Sequence, residues 1–533
     1  MKQSWYYFIL FLFLCFILSC SSHEEKTQDF TYTGTGDNVE TNPVKAIGWS
    51  GERLANAYCG GCHLKPNPDL LTRKLWREYV LPDMGRRLGL FYEPRDPFNE
   101  NPEIAEIIYP KEPVIHRDDW EKIAEYYIEN SPEQMLPQSE KSVENVGINE
   151  FVPKGIKVDK EIPPTSSFIK IDETEQSIFV ALAHRAIYKL KHMEVVEIMQ
   201  VGSAPSSLAQ TAENELLALG MGIMAPSEEK SGELHYFSSA SDNSEILLKG
   251  LHRPVDVKLA DLNQNGREDL LICNFGHHSG DLAWFENEPD GTYTKHILRS
   301  KPGAIQAWIT DFNNNGLPDI LSLFAQGDEG IFAYINQGDG IFKEEVLLRF
   351  PPVYGSSYFE LADISGNGHK DIIYVNGDNA DLTPVQKNYH GIRIYLNDGK
   401  NNFHESFFYP MYGAQKAMVA DFNGNGKPDI AAISFFPDYT QAEPESFVLL
   451  INESIDTHEL KFKAKTFPEQ NDGHWLTMDV GDLTGNGLQD IVLGSFIIGP
   501  NDAPYDILTN WQDLGYHFML LENQGFEVKF FDP

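Results

Sequence analysis

The sequence predicts a mainly β protein, a seven-bladed β-propeller preceded by a small all-α domain. Five copies of one nine-residue pattern begin at positions 261, 311, 363, 421 and 482, which are 50, 52, 58 and 61 positions apart. A period of this size is that of a propeller blade. Two groups of short apolar strands, at 168–190 and 207–237, precede the copies and bring the total to seven. The stretch 47–137 instead has apolar residues at helical spacing.

Composition limits the function classes that are possible. The 533 residues include 42 basic and 79 acidic side chains, which gives a formal net charge of −37. Phosphate backbones are bound by an excess of Lys and Arg, so this balance excludes an electrostatic nucleic-acid binder. An acidic surface suits cations or a basic partner. Five cysteines are too few for a disulfide scaffold in a chain of this length.

The N-terminus is typical of an exported protein. Residues 5–18 are uninterruptedly apolar, but as a helix they span only about 21 Å, less than a membrane core. We therefore expect a signal peptide at 1–19 and a flexible polar tether at 20–46. The residues ending in Cys20 resemble a bacterial lipobox. The resemblance implies a lipid on Cys20 and a place in the bacterial cell envelope, facing the periplasm or on the outer-membrane surface; an ordinary signal peptide is the alternative.

The next cysteines form a haem attachment pattern. Cys59 and Cys62 are separated by two glycines and followed at once by His63. Two thiols at this spacing add to the vinyl groups of haem, and the adjacent imidazole binds the iron. The alternatives are a thioredoxin-like redox pair, which lacks a preceding strand, and half of a zinc site, which lacks a second ligand pair.

Helical patterns surround this motif. Residues 51–58 run into it as a short helix, 71–86 have helical spacing, and Asp118 or Asp119 is placed to cap a third helix. Helix, CxxCH, helix and terminal helix together resemble a small cytochrome c domain over 47–137. The resemblance implies one covalent haem c.

The sequence contains several candidates for the second axial ligand of such a haem. Met84 follows the motif after a loop and a helix, and a Met thioether is a common partner of His. We expect Met84 to take this position. Its alternative role is to fill the core, and Met135 and His116 are competing ligands.

The five repeated patterns predict cation loops. Side-chain oxygens at positions 1, 3 and 5 can converge on a hard cation, Gly at position 6 permits the turn, and a carbonyl at position 7 and Asp at position 9 complete the ligands. The side-chain ligands are Asp261, Asn263, Asn265, Asp269, Asp311, Asn313, Asn315, Asp319, Asp363, Ser365, Asn367, Asp371, Asp421, Asn423, Asn425, Asp429, Asp482, Thr484, Asn486 and Asp490.

We expect up to five Ca²⁺ ions of modest affinity, because the residues at positions 3 and 5 are neutral. An EF-hand is excluded, since no copy has Glu at position 12 and buried strands follow the loops. A tight turn without metal is the alternative.

Each copy continues with a second apolar strand that ends in Asn and then a further strand. The order strand, cation loop and three strands resembles the FG-GAP (or VCBS) repeat of integrin-type propellers, over 252–533. With the two upstream groups, which lack the cation loop, the propeller is expected at 161–533 and a linker at 138–160. Cys273 is expected to be buried in a strand.

The two parts together resemble bacterial exported c-type cytochromes fused to FG-GAP/VCBS-repeat propellers. The resemblance implies a lipid-anchored electron-transfer protein with His63 and Met84 on the iron, a redox protein or small reductant as partner, and a propeller for docking. One alternative is an oxidoreductase whose propeller face oxidises a small molecule or glycan; another is an adhesion module. Polar residues available for catalysis are His277, His278, His390, His474 and Trp475. The sequence leaves open whether the protein is an enzyme.

Overall fold

The computed structural model describes residues 44–90, 108–141, 143–144, 147–238, 244–379, 385–441, 444–455 and 459–525. The predicted signal peptide and Cys20 lie outside the described residues. Seven sheets, six of four strands and one of five, form a propeller, which confirms the predicted fold class for this part of the chain.

Two strands, β1 (Val143–Glu144) and β2 (Phe151–Ile156), precede the first blade. Blade 1 contains β3 (Ser166–Asp172), β4 (Ser177–Leu182), β5 (Ala186–Lys191) and β6 (Glu194–Gln200). Blade 2 contains β7 (Pro205–Gln210), β8 (Leu216–Gly220), β9 (Gly232–Phe237) and β10 (Glu245–Leu251). Blade 3 contains β11 (Pro254–Ala260), β12 (Asp269–Asn274), β13 (Asp281–Asn287) and β14 (Tyr293–Arg299).

Blade 4 contains β15 (Ala304–Thr310), β16 (Asp319–Phe324), β17 (Gly330–Asn336) and β18 (Phe342–Arg349). Blade 5 contains β19 (Ser356–Ala362), β20 (Asp371–Asn376), β21 (Gly391–Asn397) and β22 (Phe403–Pro410). Blade 6 contains β23 (Ala414–Ala420), β24 (Asp429–Ser434), β25 (Phe447–Asn452) and β26 (Phe462–Lys465). Blade 7 contains β27 (Trp475–Gly481), β28 (Asp490–Ser495) and β29 (Phe518–Asn523).

The ring is closed by a strand from before the first blade. β2 pairs antiparallel with β29, with Phe151 opposite Asn523, and so becomes the outer strand of blade 7. β1 adds to blade 6 in parallel with β26. The segment 138–160, which we expected to be a linker, therefore contributes strands to the propeller. The sequence does not reveal this role, because the strands that pair with β1 and β2 lie more than three hundred positions away.

Burial explains the strand composition. In blades 3 to 7 the second strand is buried along its whole length, because blades pack against it on both sides. Cys273 belongs to such a strand and is 1% exposed, as expected; it packs in a cluster shared by blades 3 and 4. The outer strands, such as β18, are largely exposed and polar.

A ring of hydrogen bonds joins the blades around the central channel. In every blade, one side chain of the first strand bonds to the backbone of the first strand of the next blade, at 2.7–3.4 Å. The seven side chains are Lys170, Ser207, Asp256, Gln306, Glu360, Lys416 and Asp479. The last bond, from Ile171 N–H to the Asp479 carboxylate, joins blade 7 to blade 1.

One member of this ring gives the fold a pH dependence. Burial, and then the charge of Asp479, raise the pKa of Glu360 from 4.5 to about 7. The folded state therefore binds a proton that the unfolded state has already lost, and this group makes stability fall as the pH rises from about 4.5 to 7. We expect Glu360→Gln to flatten the fall in the free energy of unfolding between pH 5 and 7. Urea titrations at fixed pH measure it, and equal slopes for both proteins would contradict the assignment.

The helical segment, residues 44–90 and 108–130, packs around one apolar core, to which the propeller residues Val353 and Val385 also contribute. It comprises α1 (Gly51–Tyr58), a 3-10 turn (Pro68–Leu70), α2 (Arg73–Leu75), a π turn (Trp76–Val80), α3 (Leu81–Arg87) and α4 (Arg117–Asn130). The rings of Trp76 and Tyr127 lie 4.4 Å apart in this core, tilted by 42° to each other. Their polar atoms bond to the carbonyls of Pro68 and Pro66, which fixes the chain just after the CxxCH motif.

The caps of this segment differ in part from expectation. Ser50 accepts the Arg53 N–H at the start of α1. At α4 the cap is His116, whose Nδ1 accepts the Asp118 N–H at 3.2 Å, so the predicted caps Asp118 and Asp119 are wrong. Asp119 is fully buried and accepts the N–H groups of the chain before α1.

Two further helical elements flank strands of blade 7. A 3-10 turn (Pro468–Asn471) precedes β27, and α5 (Tyr505–Leu514) is inserted between β28 and β29. No helix in the described residues is long and apolar enough to cross a membrane.

Candidate functional site

The Asp loops are the five turns between the first and second strands of blades 3 to 7. In the first of them, the Asp261 carboxylate accepts the N–H groups of Asn265 and Gly266 at 2.9 and 2.8 Å. The first Asp of the other four loops makes the same two bonds at 2.7–3.0 Å. The Gly at position 6 has φ between +80° and +87° in all five, which a side chain would strain.

The ninth residue of each Asp loop has a structural role that the sequence did not indicate. The Asp269 carboxylate is fully buried and accepts Leu262 N–H at 3.0 Å and Asn287 N–H at 2.9 Å. The equivalent residues Asp319, Asp371, Asp429 and Asp490 make the same pair of bonds. Position 9 therefore ties the loop to the end of the third strand.

The Asn at the end of the third strand completes this arrangement. The Asn336 side-chain amide donates to Pro318 O and, across the blade boundary, to Leu262 O at 2.8 Å. Asn523 makes the corresponding cross-blade bond to Phe422 O. The Asn that recurs in the sequence is thus explained by contacts within and between blades.

The electrostatics of the Asp loops favour a cation. Burial raises the pKa of Asp429 to about 6, and the neighbouring Asp421 carboxylate adds to this. The pKa values of the other four ninth residues are raised in the same direction and mainly for the same reason. A cation between positions 1 and 9 would remove the repulsion. Each carboxylate oxygen of the first Asp accepts one N–H and keeps a further lone pair, so the donor set fits Ca²⁺.

The remaining side-chain donors of these loops are amide oxygens and, in two loops, the hydroxyls of Ser365 and Thr484. Accordingly, no group of three His, Cys, Asp or Glu side chains able to hold a metal occurs within the described parts of the chain.

The CxxCH residues lie on one helical turn at the end of α1. The N–H groups of Cys62 and His63 both point to Cys59 O, at 3.3 and 3.4 Å. Both thiols are free; that of Cys62 is exposed and that of Cys59 is half-buried. His63 Nδ1 lies 3.0 Å from Leu64 O, so Nδ1–H donates to this carbonyl and Nε2 keeps its lone pair.

Burial raises the pKa of the Cys59 thiol to about 11 and lowers the pKa of His63. A reactive redox pair needs a thiol of low pKa, so the Cys59 environment argues against the thioredoxin-like alternative. A neutral imidazole is the form that binds iron.

The candidate axial ligands differ in their surroundings. Met84 is half-buried in α3 and packs against the same apolar core as Cys59. His116 is occupied as the cap of α4 and lies 3.6 Å from Asp118 Oδ1. Met135 follows α4 and is not part of that core.

The choice between the methionines can be tested directly. We expect Met84→Ala to remove the Met–iron charge-transfer band from the spectrum of the oxidised protein, because the iron loses its sulfur ligand. Met135→Ala is the matched control and should keep the band. A band that survives Met84→Ala would exclude Met84 as the ligand.

The residues considered for catalysis do not converge. His277 and His278 lie together in the loop after β12, with ring centroids 3.9 Å apart. His390 is fully buried in blade 5. In blade 7, both ring nitrogens of His474 face backbone carbonyls, and the buried Trp475 donates to Gln470 O at 2.6 Å. These contacts are structural, and the residues are spread over three blades.

The helical segment and the Asp loops occupy opposite faces of the propeller. In an antiparallel sheet the turn between strands one and two lies at the end opposite to the turn between strands two and three. The Asp loops are turns of the first kind. The helical segment contacts turns of the second kind: Arg87 bonds to His278 at 2.9 Å, and Tyr389 Oη lies 3.1 Å from Leu70 O. We call this side the helical face.

Comparison with known proteins identifies the repeat. A family model described as FG-GAP-like repeat matches residues 261–322 and 311–374. Residues 261–374 carry FG-GAP-like repeats. The matched stretches begin at the first two Asp loops and run into the second strand of the following blade.

Curated relatives match a limited part of this chain. A T-cell immunomodulatory protein homolog of Plasmodium yoelii yoelii is 28% identical over 235 residues, covering 37% of this chain and 32% of the relative. One of Plasmodium falciparum (isolate 3D7) is 30% identical over 181 residues, covering 32% of this chain and 23% of the relative. The chain thus spans a third or less of the length of these relatives.

Solved structures also resemble the chain weakly. A candidate 6-phosphogluconolactonase from Bacteroides fragilis is 12% identical with a TM-score of 0.38, over 56% of this chain and 82% of that chain. The structure of U3-55K is 9% identical with a TM-score of 0.40, over 69% of this chain and 98% of that chain. No function is drawn from either likeness.

Proposed function

We propose that this FG-GAP propeller protein is an exported, lipid-anchored c-type haem protein that transfers electrons. The observation that carries the proposal is the turn after α1. It presents two free thiols and an imidazole whose Nδ1 is held by Leu64 O. The residues fit a covalent haem, which would be held by Cys59, Cys62 and His63, with Met84 as the sixth ligand.

The haem, when bound, supplies a one-electron couple. The protein's own residues define its setting. The Leu64 carbonyl fixes the tautomer and orientation of the His63 ring. The apolar core around Leu54, Trp76 and Ile123 excludes water from the side on which Cys59 and Met84 pack. An apolar setting of this kind suits electron transfer.

The propeller is proposed to dock a partner, either a redox protein or a small-molecule reductant. A large ring of blades with many exposed loops suits binding. The names of the two relatives specify no ligand that this chain could share. Attachment through a lipid on Cys20 would place the protein in the bacterial cell envelope, and mass spectrometry of the mature N-terminus would test it.

The haem proposal is tested on the full chain produced in cells that attach haem c. We expect one covalently bound haem per protein, measured by the pyridine haemochrome spectrum after acid–acetone extraction. Reduction by small redox proteins, and no reduction by sugars or alcohols, would favour electron transfer over oxidation of a substrate by the propeller. A purified protein without covalent haem would refute the proposal.

We further propose that the Asp loops bind Ca²⁺ and stabilise the propeller. A ligand that binds only the folded state raises stability by about 2.7 kcal/mol at a concentration of 100 times Kd. A chelator should therefore lower the unfolding temperature by several degrees. It should leave the haem spectrum unchanged, because the loops lie on the face opposite to the helical segment.

Asp421→Ala should reduce the shift that calcium causes. The control is Asp290→Ala, which removes an exposed carboxylate from the turn between β13 and β14, outside the Asp loops. It should leave the shift intact. An unfolding temperature that is the same with calcium and with chelator would contradict calcium binding.

A further inference from the structure

The core of the helical segment is not closed by that segment alone. The apolar cluster that includes Cys59 and Met84 is completed by two propeller residues, Val353 and Val385. Val353 lies in the connection from blade 4 to blade 5, and Val385 lies between β20 and β21. The blades therefore contribute one side of the apolar core that contains Cys59 of the CxxCH motif.

A hydrogen-bond bridge holds the two parts together at this point. The Tyr389 hydroxyl lies 3.1 Å from both Leu70 O of the helical segment and Val353 O of the propeller. Its ring is 7% exposed and stacks on Tyr354 at 5.0 Å. A buried, stacked ring with its hydroxyl between two backbones fixes the position of the helical segment on blade 5.

Charged residues of blade 4 also reach the motif. The charges of Asp328 and Arg349 both act on the His63 ring. Asp328 lies before β17, and Arg349 is the last residue of β18. Arg349 Nε donates to Asp328 Oδ1 at 2.8 Å, and Arg299 binds the other carboxylate oxygen at 2.8 Å. This pair is therefore held in place on the helical face.

We propose that the edge formed by Asp328, Arg349, Val353 and Val385 is one wall of the haem pocket, so that the propeller sets the potential of the haem. The inference rests on the proposed haem function. Arg349 and Asp328 act as positioning and tuning residues through their charges. A cation near the iron favours the ferrous form and an anion favours the ferric form, since reduction adds one negative charge.

The test is the midpoint potential of the full-length haem protein. Arg349→Gln should lower the potential and Asp328→Asn should raise it. Each should change the ferrous-to-ferric ratio at a fixed potential by about four- to tenfold, as expected when one nearby charge is removed from a partly solvated site. Arg349→Lys keeps the charge and should keep the potential.

Lys343→Gln and Glu345→Gln are matched controls. These residues form an exposed ion pair near the start of the same strand, at the end that points to the Asp loops. They should leave the potential unchanged. If Asp328→Asn does not fold, the comparison of Arg349→Gln with Arg349→Lys decides alone.

The outcomes distinguish the shared haem pocket from the proposed haem function. The shared pocket is overturned if the protein binds haem but Arg349→Gln shifts the potential no more than the controls do. It is also overturned if both blade 4 variants shift the potential in the same direction. Either result leaves the proposed haem function intact. A full-length protein that carries no haem overturns both.

Discussion

Replacing Cys59 and Cys62 together by alanine is expected to abolish covalent haem in the purified protein. The two thioether bonds are the attachment, and no other pair of thiols is near them in the described residues. Each single variant should keep at most one bond and give a shifted haemochrome spectrum. The readout is haem that stays with the polypeptide on a denaturing gel.

The control for this experiment is Cys273→Ala. Cys273 is also a free thiol, but it is buried in β12, between blades 3 and 4. Its replacement should leave haem content at the level of the natural protein. Full haem content in the Cys59/Cys62 double variant, or loss of haem in Cys273→Ala, would contradict the assignment of the attachment site.

Asp429→Ala is expected to destabilise the propeller by about 2–5 kcal/mol even when no cation is present. The Asp429 carboxylate is fully buried and accepts Phe422 N–H at 3.2 Å and Asn452 N–H at 2.7 Å. Alanine leaves both donors without an acceptor, and each such buried group costs about 1–3 kcal/mol. Urea unfolding in the presence of a chelator measures the loss.

Asp421→Ala is the comparison within the same loop. Asp421 accepts the exposed N–H groups of Asn425 and Gly426, which water can satisfy after the substitution. Its effect in chelator should stay below about 1 kcal/mol and should grow when calcium is added. Equal losses for the two variants in chelator would show that position 9 has no structural role beyond metal binding.

How far the sequence specifies this molecule depends on the range of the contacts involved. The five Asp loops are visible because Asp261, Gly266 and Asp269 act within nine positions, so their spacing is the signal. The helix before Cys59 and the strands of blades 1 and 2 are visible for the same reason. Their apolar periodicity is local, and the structure has strands in the predicted places.

Non-local contacts were missed. β2 carries Pro153, a residue tolerated on an outer strand, and nothing local says that its partner is β29. The ring of hydrogen bonds around the channel is invisible in the sequence because its members differ in chemistry, from Lys170 to Ser207 to Asp479, so no single residue type marks this position in every blade. The structural role of position 9 is also invisible in the sequence, because an Asp expected to bind a cation and an Asp that accepts backbone N–H groups look the same.

The closing strand has a consequence for how the chain is made. Phe151 leaves the ribosome 372 positions before its partner Asn523. At the usual 5–20 residues per second, about 20–70 s pass before blade 7 can be completed. During that time β2 has no strand to pair with, and the ring of blades remains open. A nascent chain stopped before β29 would therefore release an open propeller, prone to capture by proteases, although its helical segment had long been complete.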